Sequence, residues 1–548
     1  MNAPVKRVRA ATMAAILVLS ACSAGAKGDP VAPVTPVTPV TPSTELGQDY
    51  RPSGHTAAGD VFVHLFEWRW PDIARECEVW LGPKGYKGVQ ISPPSEHAII
   101  TSGGAFYPWW QRYQTVSYKL DRSRSGTAAE LSDMVSRCRA VGVEIYADVV
   151  INHMTAGSGI GSAGSSYTKY SYPAVPYTSA DFHSPCSIDN YAVIFQVQNC
   201  ELVGLADLRT EDATVRETIA QYLIALNTVG IAGFRIDAAK HVPPRDLDAI
   251  LARVNSAAAA AGRARPYAFL EVINNSGDAV TPSQYYGVGY ASGGASDLTD
   301  FQYGYRVTDA FSGRNGGTVN GVALQNPGTL PSDKSVVFVD NHDNQRGDNL
   351  SYVSASYEMA VLFMLANPQG YPSVMSSFGF DRTSQSGRDA GPPAAGVGVT
   401  ASTFAGDGST RCTASLGTVQ VGEWICEHRR LAIANMVAFR RAAVGTPLTI
   451  CGRASATIGD DANRVALCRE GAGFIAFNRT ASEVTASLPT KLAAGSYCNV
   501  ARFEFVAATG GKVASCSGTT IVVNATGDAT VMVPAMGTVA LHRAAKVN

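Results

Sequence analysis

Eight short apolar runs, separated by stretches with helical spacing, dominate residues 61–376 and leave very few folds open. The runs fall at 61–66, 88–93, 143–151, 233–237, 267–271, 298–302, 335–340 and 372–376, and the sixth is the weakest. Between them lie segments such as 128–141 and 215–229, where apolar residues recur every three or four positions, as on one face of a helix. Strands that alternate with helices build a parallel sheet, and eight of them close it into a (β/α)8 TIM barrel. The gap between the third and fourth runs is too long for one helix. Residues 154–206 are rich in Gly, Ser, Tyr and Pro and read as a small inserted subdomain. The barrel is therefore expected over 58–153 and 207–445. Beyond 445, short runs at 464–468, 473–477, 520–524 and 538–542 alternate with turn residues. They predict a C-terminal antiparallel β-sandwich domain over 446–548.

The N-terminus reads as an export signal over 1–26. Lys6, Arg7 and Arg9 precede an apolar run, 11–19, that is too short to span a bilayer. Ala24, Gly25 and Ala26 suit cleavage after Ala26. Leu19 to Cys22 also resembles a bacterial lipobox, in which Cys22 would carry a lipid anchor. Either route makes the protein extracellular, secreted or held at the cell surface as a lipoprotein. Residues 27–57 then form a tether, stiffened at 31–44 by the Pro-rich string VAPVTPVTPVTPST. No later run is long and apolar enough for a transmembrane helix. Lys+Arg 44 against Asp+Glu 45 argues against nucleic acid as a partner. A monomer is expected. With Cys22 set aside, ten of the 11 Cys remain. Close spacing suggests Cys186–Cys200, Cys412–Cys426, Cys451–Cys468 and Cys498–Cys516, leaving Cys77 with Cys138. Such staples persist outside the cytoplasm, although spacing does not prove connectivity.

Polar residues cluster where the apolar runs end. Asp148, Asn152 and His153 follow the third run. Arg235, Asp237, Lys240 and His241 follow the fourth, Glu271 the fifth, and Asn341, His342 and Asp343 the seventh. In a TIM barrel these positions surround the mouth, where active sites lie. Arg235 and Asp237 are two apart on a strand, so both face the same side, and the guanidinium can hold the carboxylate ionised. Asp237, Glu271 and Asp343 then converge from three strands. Glycosidic cleavage needs such a set: one carboxylate to attack the anomeric carbon, one to protonate the leaving oxygen, and one to stabilise the oxocarbenium-like charge.

The strings DVVINH (148–153), GFRIDAAKH (233–241), EVI (271–273) and FVDNHD (338–343) resemble, in order, the four signature regions of the α-amylases. LFEWRW (65–70), GVQISPP (88–94), WWQRYQ (109–114) and WICEHR (424–429) resemble the animal-type branch, which also occurs in bacteria. The resemblance implies an endo-acting, retaining hydrolase of α-1,4-glucosidic bonds in starch, glycogen and malto-oligosaccharides. It implies Asp237 as nucleophile, Glu271 as general acid/base and Asp343 as transition-state stabiliser. His153 and His342 would hydrogen-bond the glucose at the cleavage point, with Asp148 and Arg235 supporting the site. Lys240 would touch the adjacent sugar, while Trp109, Trp110 and Tyr113 would offer aromatic faces for stacking.

The same resemblance implies a calcium site. Asn152 and Asp207 match its side-chain ligands, and the carbonyls of Gln198 and His241 match its backbone ligands, all hard oxygen donors. Chloride is not expected as a cofactor. Arg235 and Asn341 match two of the animal-type chloride ligands, but the position that carries the second cation holds Ser373. The segment after Asp343 is also short, which suggests a more open cleft. Two other functions use the same features. A transglycosylase on this scaffold would keep reducing ends nearly constant. A non-catalytic glucan-binding protein would not need a paired acid and nucleophile.

Overall fold

The computed structural model describes residues 51–547 apart from 103–105, 325, 414–419, 452–457, 459–461 and 509–512. The export signal and most of the tether lie outside the described residues. Eight parallel strands close a barrel: β1 (Phe62–Leu65), β2 (Gly88–Ile91), β3 (Glu144–Val149), β4 (Gly233–Ile236), β5 (Tyr267–Leu270), β6 (Ala295–Thr299), β7 (Ser335–Val337) and β8 (Tyr371–Ser376). Each strand pairs with its sequence neighbours, and β8 returns to β1. Every expected run supplies one strand. The sixth is displaced: the chain pairs over Ala295–Thr299 and not over 298–302. The reason is Asp300, whose carboxylate accepts from the Tyr303 amide at 3.1 Å and starts the helix Phe301–Ser312.

The helices between strands obey local rules. Ala128–Ala140 opens on a capping box made by Thr127 and Glu130. Ala213–Val229 opens on Asp212, which accepts from the Thr214 amide at 2.7 Å, and ends at Gly230 with φ 108°. The barrel floor is a layer of Phe62, Tyr146, Tyr267, Phe269 and Tyr371. From below, the short helix His55–Ala58 seals it: the His55 ring stacks on Tyr371 at 4.3 Å, and Ser53 donates to Asp297 at 2.8 Å.

The insert leaves and rejoins the barrel through a short antiparallel pairing of His153–Met154 with Ala206–Asp207. It contains the hairpin Ser158–Ile160 with Ser166–Thr168 and the helix Ile194–Asn199. The C-terminal region is antiparallel. Strands β9 (Leu448–Cys451), β10 (Arg464–Arg469), β11 (Gly473–Asn478) and β16 (Gly537–His542) form one sheet. β12 (Val484–Pro489) pairs with β15 (Asp528–Val533), and β13 (Gly495–Cys498) with β14 (Thr520–Val523). These strands enclose their own core, which includes Phe474, Leu488, Val531 and Leu541. Phe477 also packs on Phe311 and Phe363 of the barrel helices. All five suggested cysteine pairs are bonded, namely Cys77–Cys138, Cys186–Cys200, Cys412–Cys426, Cys451–Cys468 and Cys498–Cys516. Among the described residues no helix is long and apolar enough to cross a membrane.

Candidate active site

The barrel register builds the site. Arg235 on β4 lies opposite Asp148 on β3, so their side chains share the barrel interior at the mouth. One terminal nitrogen of Arg235 reaches Asp148 Oδ1 at 2.8 Å and Asp237 Oδ1 at 2.6 Å. The other pairs with Glu271 Oε1. Ala238 is left-handed, with φ 49°, and this turn aims its amide at Glu271 Oε2, 2.9 Å away. A non-glycine residue held there is strained, and such strain is commonly stored at functional sites.

One guanidinium therefore faces four carboxylates, with Asp343 acting at longer range. Burial pushes Asp237 and Glu271 above the ordinary carboxylate range, desolvation acts in the same direction on the 39 %-exposed Asp343, and Arg235 opposes the rise in each. Burial likewise raises Asp148 to about 6. Like charges this close oppose one another's ionisation, so the cluster favours keeping a proton to a higher pH than isolated carboxylates would.

Neutral rings surround the carboxylates. Tyr113 donates its hydroxyl to Asp148 Oδ2 at 2.8 Å, and its ring stacks on His342 at 5.2 Å. His342 Nε2 lies 3.2 Å from Asp343, and burial holds this imidazole well below its usual pKa. His153 donates from Nε2 to the Tyr113 carbonyl at 3.2 Å, and burial lowers it to about 4. Trp109 is nearly buried, and its indole N–H donates to the Arg388 carbonyl at 3.1 Å. Trp110 is half-buried beside it. Lys240 is not free: it pairs with Asp278 at 2.6 Å and lies 4.6 Å from the Tyr191 ring.

Sequence reasoning missed Asp278, Tyr191 and Arg346. Asp278 could have been noticed as the next carboxylate after Glu271. Tyr191 comes from the insert, and Arg346 faces the rings of Trp109 and Phe380, so neither has a local signal.

Beneath Glu271 lies a small cavity lined by Arg235, Asn341, Ser373, His64 and Gln90. Arg235 is its sole cationic lining residue among the described residues.

The four residues matched to a metal fall into two neighbouring pairs. The Asn152 carbonyl accepts from the Leu208 amide at 3.0 Å, which sets Asn152 beside Asp207. The His241 ring N–H donates to the Val197 carbonyl at 2.8 Å, which sets His241 beside Gln198. Asp207 is 3 % exposed, with His183 at 2.7 Å on one oxygen. Burial raises it to about 6.

The family description "Alpha amylase, catalytic domain" matches residues 107–260, and "Alpha amylase, C-terminal all-beta domain" matches 459–544. An alpha-amylase of Thermomonospora curvata is 44 % identical over 90 % of this chain and 74 % of its own length. One from the beetle Tribolium castaneum is 42 % identical over 90 % and 96 %. The chain belongs to the α-amylase family. The structure agrees: a crystal structure of an alpha-amylase I variant from Eisenia fetida in complex with maltohexaose matches with TM-score 0.76. That protein is 36 % identical, over 90 % of this chain and 98 % of its own. The four signature strings thus meet at one barrel mouth, with Asp148, Asp237 and Glu271 paired to a single guanidinium and Asp343 facing it.

Proposed function

We propose that this protein is an extracellular, calcium-stabilised α-amylase that cleaves internal α-1,4 bonds of starch and glycogen with retention of configuration. The observation that carries the reading is the Arg235 hub. It orients Asp237 and Glu271 from its two terminal nitrogens, and burial raises both carboxyls, so a nucleophile and a proton donor can share this one buried cluster. Asp237 attacks the anomeric carbon as Glu271 gives its proton to the leaving oxygen. Glu271, now ionised, then deprotonates the water that releases the glycosyl–enzyme intermediate. Asp343 balances developing positive charge on the ring. His153 and His342, held neutral, serve as hydrogen-bonding partners for sugar hydroxyls without adding charge of the wrong sign. Trp109, Trp110 and Tyr113 would offer aromatic faces to sugars, and Lys240, paired with Asp278, would touch the adjacent sugar.

Asn152, Asp207 and the carbonyls of Gln198 and His241 form a donor set of hard oxygens, which suits calcium. Asp207, buried beside a single histidine, has room in its charge balance for a cation. Calcium bound there would supply positive charge and cross-link the insert to the barrel. Chloride is not part of the proposed chemistry, because Ser373 stands in the cavity wall where a second cation would be needed. Five disulfides suit an oxidising exterior, and the lipobox-like Cys22 suits surface attachment.

The test is proton NMR of maltohexaose or soluble starch during hydrolysis, alongside a reducing-end assay. Fresh α-anomeric ends that accumulate with each bond cleaved fit the reading. Initial β-anomers would refute retention, and constant reducing ends would mean transglycosylation.

A further inference from the structure

The segment after Asp343 is a tight 3-10 turn, Asn344–Arg346, pinned by Asn341, whose side-chain oxygen accepts from the amides of Asp343 and Asn344 at 3.0 and 2.9 Å. Arg346 points back from this turn into a box of rings. Its guanidinium lies 4.5 Å from Trp109, 4.6 Å from Phe380, 5.4 Å from Phe66 and 5.6 Å from Phe378. Nε donates to the Arg388 carbonyl at 3.0 Å, and one terminal nitrogen donates to the His342 carbonyl. The Arg388 carbonyl is also the acceptor for the Trp109 indole at 3.1 Å. Among the described residues no carboxylate forms an ion pair with Arg346, and its other terminal nitrogen is buried without a hydrogen-bond partner. A guanidinium held this way is positioned by aromatic faces and carbonyls, and its charge stays uncommitted. Two more arginines close the clasp. Arg382 donates to the Gly347 carbonyl at 3.0 Å, and Arg388 to the Arg382 carbonyl at 2.8 Å.

The geometry points to Arg346 as a positioning residue that locks Trp109 and the His342–Asp343 pair into one rigid unit, so that sugar binding and transition-state stabilisation depend on the same side chain. The inference rests on the amylase reading of the cleft. It gives the short segment after Asp343 a stiffness that its length alone does not supply. Arg346 also adds positive charge toward Asp343. The other groups that face this carboxylate are Arg235 and His342, the carboxylates Asp237 and Glu271, and the phenols Tyr113 and Tyr305. Arg346 and Arg235 both favour the ionised form of Asp343.

Two substitutions separate charge from shape. Arg346→Met keeps apolar contact and removes both charge and fork. Arg346→Lys keeps the charge and loses the planar fork. Affinity for maltohexaose is read by calorimetry on a Glu271→Gln background, which prevents turnover. Kinetics and pH profiles on soluble starch are read with Glu271 intact. Both variants should bind maltohexaose at least about tenfold more weakly, because Trp109 and His342 lose their common anchor. Arg346→Met should also move the acid limb of kcat/KM upward by roughly one pH unit, and Arg346→Lys should bring that limb back without restoring affinity. If Arg346→Met does not fold, the lysine variant alone decides, through weakened binding with an unshifted acid limb. Parental affinity in the folded lysine variant overturns the inference. Failure of the unmodified protein to hydrolyse soluble starch would instead overturn the amylase reading.

Discussion

Asp148 and Asp237 accept from the same nitrogen of Arg235, at 2.8 and 2.6 Å, so the orientation of Asp237, the proposed nucleophile, is tied to a carboxylate on the neighbouring strand. A lysine is a point charge on a flexible stem and cannot serve three carboxylates from two fixed nitrogens. Arg235→Lys should therefore lower kcat on soluble starch by roughly 10²-fold, the scale of a small misplacement of reacting groups, with a smaller effect on KM. A kcat within a factor of two of the parent would contradict the hub.

The pH dependence follows from burial. Activity should rise as pH climbs through the ionisation of Asp237 and Asp343, because attack and charge stabilisation both need the carboxylate form. It should fall as pH climbs through that of Glu271, because the acid has lost its proton. Burial raises Asp237 and Glu271, so both limbs of the kcat/KM profile should sit above the ordinary carboxylate range of about 4. Glu271→Gln should reduce kcat by roughly 10²–10⁴-fold and abolish the alkaline limb of what remains. An alkaline limb that persists in this variant would assign the acid elsewhere.

Chloride should not activate the enzyme. A buried anion costs several kcal/mol unless charges compensate it, and Arg235 is already occupied by carboxylates. Extensively dialysed protein should show the same kcat with and without chloride at constant ionic strength. A roughly tenfold rise specific to chloride would mean that a cation other than Arg235 completes the cavity.

Removal of calcium with a chelator should lower the melting temperature by several degrees, and re-addition should restore it, since a ligand that binds only the folded state stabilises by mass action. Asp207→Asn should abolish this response while leaving the disulfide Cys186–Cys200 intact. A chelator-insensitive melting curve in the unsubstituted protein would remove calcium from the account.

The parts legible in the sequence are those governed by short-range pattern. Strand ends followed by Asp, Glu, His and Asn marked the mouth, and close cysteine spacing suggested four bonds and left Cys77 with Cys138 as the fifth. The sixth strand was misplaced because Asp300 looks like one more polar residue until its capping bond to Tyr303 is seen. Tyr191 and Arg346 escaped notice for a different reason. Lys240 meets Tyr191 across 49 positions, and Arg346 meets Trp109 across 237. Such partnerships are made by tertiary approach, and no spacing along the chain encodes them.

The seal that His55 and Ser53 make beneath Tyr371 and Asp297 has a practical side. The chain enters the barrel at the end opposite the mouth. A bead, a carrier protein or a living surface joined ahead of Ser53 would therefore hold the molecule by its base. Glucan chains could thread the cleft from either side, and immobilisation at that end should leave turnover almost untouched.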